Sequence, residues 1–181
     1  MDTVLKHFQT KYNFSNYQIA QLRFLFITLA SEISKILIMG ILFYNKFPLY
    51  LFALFVMLCL RSTTGGLHFY TYKSCLFASA VFLWLAIHIL PSISIPVFLS
   101  LIILLMCIIT CYTIGPITSK YRPAPSQNKS QKYRSLTCGF IFIYSVIFYI
   151  FSDHILLITG FWVIVLHSLQ LVLAKLKRKE N

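Results

Sequence analysis

A histidine and a cysteine, His68 and Cys75, lie seven residues apart in the stretch RSTTGGLHFYTYKSC, residues 61–75. An imidazole next to a thiol can activate the sulfur, because the ring takes the thiol proton and later gives it to a leaving group. In one continuous helix the two residues would be about 10.5 Å apart along the axis, which exceeds hydrogen-bond reach. The pair can therefore react only if the chain bends between them.

Two glycines, Gly65 and Gly66, allow that bend, because glycine adopts backbone conformations closed to other residues. We expect one helix to end here and the next to begin near Thr71, whose side chain suits an N-cap. Cys75 would then lie near the first turn of the new helix, where a thiolate is favoured, and His68 would fold back over it. Without the bend, Cys75 is a small packing residue and His68 an interfacial histidine.

The composition indicates that membrane helices hold these residues. Of the 181 residues, 59% are hydrophobic and 11% are charged, and the mean hydropathy is +0.79; soluble domains carry about 25% charged residues. We therefore predict an all-α, polytopic integral membrane protein with a single domain over residues 1–181. In such an apolar chain the net charge of +12 indicates membrane topology rather than nucleic-acid binding.

Six apolar runs can form transmembrane helices, and the glycine bend falls between the second and the third. They lie near residues 24–44, 47–60, 76–95, 97–117, 136–152 and 155–174.

Basic residues predict the orientation. Four segments carry 14 of the 16 Lys and Arg residues: the N-terminal lead-in (1–23), the stretch after the second run, a basic loop (120–135) and the tail (175–181). With six spans all four share one side, which the positive-inside rule makes cytoplasmic. We therefore expect both termini and the His68–Cys75 segment on the cytoplasmic face of the plasma membrane, beside anionic lipid. The lead-in is either an amphipathic interfacial segment or a partly ordered approach to the first span.

Other polar residues carry weaker signals. Glu32 and Lys35, inside the first run, predict a structural ion pair, and the alternative is that Glu32 orients His68. The five cysteines have neither zinc-site spacing nor the density of a disulfide scaffold, so we expect no metal and no cofactor. His88, His154 and His167 are interpreted as interfacial or loop residues.

The stretch 61–75 resembles the signature of the accessory gene regulator protein B (AgrB) family, which are bacterial membrane cysteine endopeptidases that process quorum-sensing propeptides. The family pattern is Arg, three residues, Gly-Gly, one residue, His, six residues, Cys, and it is met here with correct spacing by Arg61, Gly65, Gly66, His68 and Cys75. The length, the spans, the basic loop and the basic tail are also similar. Many members have alanine after the histidine, where this chain has phenylalanine at position 69.

The resemblance implies that Cys75 is the nucleophile and His68 its general base and acid, with Arg61, Gly65 and Gly66 in support. It also implies an AgrD-like propeptide substrate with an amphipathic leader and an acidic C-terminal segment. Cleavage would pass through an acyl-enzyme thioester and end in a thiolactone or lactone ring. Two alternatives from other classes are a non-enzymatic peptide exporter, with Glu32 and Lys35 lining its path, and a membrane scaffold for another protease. A homodimer is compatible with a small helical bundle, although no GxxxG face argues for it.

Overall fold

The computed structural model describes residues 16–66, 71–117 and 126–179. These residues contain six α-helices and no β-strand, apart from one isolated bridge between Gly65 and Ile117. The helices are α1 (Asn16–Leu42), α2 (Phe47–Thr64), α3 (Tyr72–Trp84), α4 (Val97–Ile114), α5 (Gln127–Ile150) and α6 (Ile155–Lys179). The expected all-α, polytopic fold is confirmed, since five or six of the helices are long and apolar enough to cross a membrane.

The chain divides into two units by its internal contacts, residues 1–44 and residues 45–181. In the first unit the structure describes α1, whose 27 residues make a helix of about 40 Å. The second unit contains α2 to α6. Among the described residues, five helical segments that fall almost wholly in this unit have the length and hydropathy of a membrane span: Tyr44–Thr64, Tyr72–Ser92, Val97–Ile114, Gln127–Ile150 and Ile155–Lys177.

Within the second unit α6 is the central helix. It packs against α2 and α4, and α4 also packs against α5. Leu104, Ile141, Ile164 and Leu171 are fully buried where these helices meet. Large apolar side chains also point outward, as expected where a helix faces lipid rather than water.

Several helices extend beyond the apolar runs in the sequence. α5 begins at Gln127, so the second half of the predicted basic loop is helical, and α6 continues through most of the predicted basic tail to Lys179. Gln, Lys and Arg are good helix formers, and no proline interrupts either extension. Hydropathy marks where a helix can meet lipid, whereas the helix itself ends where capping and propensity allow. Residues 118–125 lie outside the described part of the chain.

The third span is not a regular helix along its whole length. α3 passes into a π-helical turn at Leu85–Ile89 and then a 3₁₀ turn at Leu90–Ser92. Pro91 lacks a backbone N–H, so the regular hydrogen-bond ladder does not continue through it. Pro91 and Pro96 therefore bound the connection to α4.

Candidate active site

The C-terminal end of α2 is held by hydroxyl groups that bond to two neighbouring helices. The hydroxyl of Thr137 on α5 donates to Thr63 Oγ1 at 2.7 Å. Thr64 Oγ1 is 2.7 Å from Nε2 of His167 on α6, and all of these except Thr63 are buried. The polar residues before the glycine pair thus fix the helix end that leads into the bend.

Gly65 ends α2 in a conformation that only glycine adopts readily. Its φ is +74° and its ψ is −146°, a region closed to residues with a side chain. Gly65 also forms a parallel bridge with Ile117, and the Ile117 N–H donates to the Thr64 carbonyl at 2.9 Å. A Cβ on Gly65 would lie 2.2 Å from the Ile117 carbonyl oxygen. The predicted break after Thr64 is confirmed, and a second chain segment locks it.

That second segment, residues 115–117 after α4, is fixed in turn by α5. Arg134 Nε donates to the Gly115 carbonyl at 2.7 Å, and its guanidinium carbon is 5.9 Å from the centre of the Tyr112 ring. The cationic group thus contacts both a carbonyl and an aromatic face. Arg134, which the sequence marked only as a topology signal, therefore supports the bend at Gly65 through this segment.

Gly66 differs from Gly65 in its surroundings. A Cβ there would meet only the Arg61 side chain, 3.5 Å from Nε and 3.8 Å from Cγ, which is ordinary van der Waals contact. Arg61 lies five residues earlier on α2, and its side chain lies beside Gly66. Arg61 and Gly66, two of the five positions that match the signature described above, are therefore neighbours in space.

The next helix begins where the sequence predicted. Thr71 has extended backbone angles, and its Oγ1 accepts the Ser74 N–H at 3.2 Å, which makes it the N-cap of α3. The Cys75 N–H donates to the Thr71 carbonyl at 3.1 Å, the first hydrogen bond of the helix. Cys75 therefore lies in the first turn of α3 and is half-buried. The N-cap and the position of Cys75 are both confirmed.

His68 lies outside the described residues, in the segment 67–70 between Gly66 and Thr71. Its position over the thiol stays a prediction, as do the catalytic roles of His68 and Cys75. The structure does bring together Arg61, Gly65 and Gly66, at the end of the helix that precedes this segment.

Glu32 and Lys35 form the predicted ion pair within α1. Lys35 Nζ is 2.6 Å from Glu32 Oε1, and the lysine side chain is 8% exposed while the glutamate is 57% exposed. The one-turn spacing of the two residues accounts for the contact. An orienting role of Glu32 toward His68, or a transport path along this pair, stays a prediction.

The interpretation of His167 as an interfacial or loop residue is wrong. It is fully buried in α6 and bonded to Thr64. The sequence alone does not predict this contact, because hydropathy shows only that His167 interrupts an apolar run. Its partner, Thr64, is 103 residues away along the chain. A polar residue deep within an apolar helix was the available signal, as it was for Thr137.

Two of the four remaining cysteines are packed among the helices. Cys107 and Cys111 are buried in α4, with Cys111 Sγ 3.7 Å from Ser168 Oγ, and none of the five forms a disulfide. Within residues 16–66, 71–117 and 126–179, no three His, Cys, Asp or Glu side chains are placed to hold a metal ion.

The fold and site together define a polytopic helical membrane protein in which a thiol lies in the first helical turn after a glycine-locked break. The chain belongs to the accessory gene regulator B family, whose sequence profile matches residues 2–171. Membership implies a role in quorum-sensing peptide processing, with a propeptide as partner. No curated protein and no solved structure matches the chain significantly.

Proposed function

We propose that this protein is a membrane cysteine endopeptidase that cleaves an AgrD-like propeptide and promotes closure of the released peptide into a thiolactone or lactone ring. Cys75 is the nucleophile, and His68 is the general base and acid. The observation that carries the proposal is the position of Cys75 in the first turn of α3, after a break at Gly65 that ends α2. Because of the break, the two residues are not held about 10.5 Å apart along the axis of one continuous helix.

In the first step His68 takes the Cys75 proton, and the sulfur attacks the carbonyl carbon at the cleavage point. The carbon–sulfur bond forms, the carbon–nitrogen bond breaks, and His68 returns the proton to the leaving amine. In the second step a Cys or Ser side chain within the peptide gives its proton to His68 and attacks the thioester, the carbon–sulfur bond to Cys75 breaks, and His68 returns the proton to the Cys75 sulfur. Because a thioester keeps much of the acyl energy, ring closure is an exchange and needs no further energy source.

The start of α3 supports this chemistry. A helix N-terminus carries partial positive charge from its unpaired N–H groups, which suits both a thiolate and an oxyanion. The Ser74 and Cys75 N–H groups are already bonded to Thr71. Of the earlier N–H groups of α3, that of Lys73 is a candidate oxyanion donor.

The recessed position of the α2 end supports exclusion of water. Thr137, which bonds Thr63, is ten residues into α5, and His167, which bonds Thr64, is twelve residues before the end of α6. At 1.5 Å per residue, α5 and α6 continue about 15 and 18 Å beyond these contacts. A thioester formed near such a recess is shielded from hydrolysis while the ring closes.

The helix ends that project beyond the recess are basic. Lys129 and Lys132 on α5 and Lys175 on α6 are exposed. Exposed positive charge of this kind attracts an acidic peptide segment and speeds its encounter with the site. This matches the acidic C-terminal segment expected of the substrate, and the positive-inside rule places these ends in the cytoplasm.

The deciding experiment incubates the purified protein in lipid with a matched precursor and searches for a thioester-linked adduct by mass spectrometry. We expect an adduct on Cys75, cleaved C-terminal segment, and neither product with Cys75→Ala. Cys59→Ala is the matched control, because Cys59 is also half-buried and lies on the neighbouring helix α2. Cleavage by Cys75→Ala at the parent rate would overturn the proposal. Peptide transport without any adduct would instead favour the exporter, and processing only with another protease present would favour the scaffold.

A further inference from the structure

His167 is a buried histidine that the proposed chemistry does not use. It is 0% exposed on α6, and its Nε2 is 2.7 Å from Thr64 Oγ1. The Thr64 hydroxyl donates its one hydrogen to the Leu60 carbonyl at 2.7 Å, so Oγ1 accepts from His167 and Nε2 carries the proton. His167 Nδ1 has no hydrogen-bond partner among the described residues.

A histidine in this position is costly for packing alone. Burying a polar ring atom without a partner is unfavourable, and an apolar side chain of similar size would fill the same space without that cost. The feature that sets histidine apart from an apolar residue here is the N–H that it donates to Thr64.

Thr64 is the residue through which α6 can influence the reacting segment. It immediately precedes Gly65, and its own carbonyl accepts the Ile117 N–H at 2.9 Å. His68 is four residues after Thr64, and a trans chain spans at most about 3.6 Å per residue, so their Cα atoms can be no more than about 14 Å apart. A rotation of the last turn of α2 therefore changes where the segment 66–71 begins.

We infer that His167 is a positioning residue: by donating Nε2–H to Thr64 it fixes the end of α2, and so sets the approach of His68 to Cys75. The inference rests on the proposed function. It assigns no contact between His167 and substrate, so removing the bond should lower kcat and leave KM nearly unchanged. It also predicts that the donor matters more than the imidazole itself.

Two pairs of variants test this inference. In each pair one variant can keep the hydrogen bond between positions 167 and 64, and the other cannot. His167→Gln can place an amide N–H near the position of Nε2–H, whereas His167→Asn is shorter and resembles only the Nδ1 side. Thr64→Ser keeps the hydroxyl, whereas Thr64→Val keeps the shape and removes it. His88→Gln is the control, because His88 is an exposed histidine at the other end of the third span.

Cleavage kinetics and the alkylation rate of Cys75 are measured on each full-length variant in lipid with the matched precursor. We expect His167→Asn and Thr64→Val to lower kcat about tenfold or more, the size of one lost buried hydrogen bond, with KM within about threefold. His167→Gln and Thr64→Ser should retain most of the parent kcat. His88→Gln should match the parent.

Equal losses for Gln and Asn, or for Ser and Val, would overturn the inference, as would a change confined to KM. If an Asn variant fails to fold, the Thr64 pair decides, because Val preserves the packed shape. The proposed function fails separately, if Cys75→Ala still cleaves. If the parent needs Cys75 for cleavage but Thr64→Val keeps the full kcat, the proposed function stands and the positioning role of His167 is refuted.

Discussion

The most demanding test of the site is a methyl group added at Gly65. Its φ of +74° and ψ of −146° lie in a region that costs a residue with a side chain about 1–3 kcal/mol. The added Cβ would also lie 2.2 Å from the Ile117 carbonyl oxygen, so the two segments must separate. Losing the Ile117 N–H bond to Thr64 adds about 1 kcal/mol. We expect Gly65→Ala to lower the free energy of unfolding by about 2–4 kcal/mol.

Gly66→Ala is the matched control, one residue away in the same motif. Its Cβ would meet only the flexible Arg61 side chain at 3.5 Å, and ordinary contacts of this kind cost less than about 1 kcal/mol. Unfolding in denaturant, with the protein in lipid or mild detergent, gives the two free energies. The Cys75 alkylation rate and the cleavage rate, measured on folded protein, report whether the bend still presents the thiol.

The two variants separate steric from general effects of losing a glycine. Gly65→Ala should lose stability and cleavage together, and Gly66→Ala should keep both near the parent. If Gly65→Ala is as stable and as active as Gly66→Ala, the locked bend is not what positions the chain. If both fail equally, both glycines are needed for flexibility, and the specific contact with Ile117 is not the cause.

Three further changes probe the elements around the bend. Thr71→Ala should destabilise the start of α3 by about 1 kcal/mol through loss of its N-cap and slow cleavage, whereas Thr71→Ser should restore both in unfolding and cleavage assays. Arg134→Lys keeps the charge but removes the Nε donor to Gly115; we expect a loss of about 1 kcal/mol, and unchanged unfolding would contradict the support of this segment. Lys129→Gln with Lys132→Gln should raise KM for an acidic-tailed precursor a few-fold at low salt without changing kcat. That difference should shrink at high salt and be absent with a neutral-tailed precursor.

The features that depend on neighbouring residues could be predicted from the sequence. Glycine at 65, threonine at 71 and the intervening spacing decide where one helix ends and the next begins, because caps and backbone freedom act over a few residues. The ion pair between Glu32 and Lys35 is equally local, since residues three apart share a helical face. Hydropathy likewise identified the spans, because lipid requires an apolar run of a certain length.

The helix ends in the basic segments were less well predicted. α5 starts at Gln127, and α6 runs to Lys179, although both regions read as loop and tail. A polar surface helix has no apolar run, so a hydropathy pattern that identifies a membrane span does not show that the helix continues beyond it. These extensions carry the exposed Lys129, Lys132 and Lys175, to which the proposed function assigns the attraction of an acidic substrate segment.

By itself the sequence determined the class of fold, the break before Cys75 and the family to which the chain belongs. Only the tertiary structure decided what holds that break. Thr63 meets Thr137, Thr64 meets His167, and Gly65 meets Ile117, at separations of 74, 103 and 52 residues along the chain. These partners depend on which helices pack together, and no local sequence pattern shows how the helices are arranged in space. A hydroxyl or an imidazole in an apolar run shows that a partner is required, and only the packed bundle shows which residue supplies it.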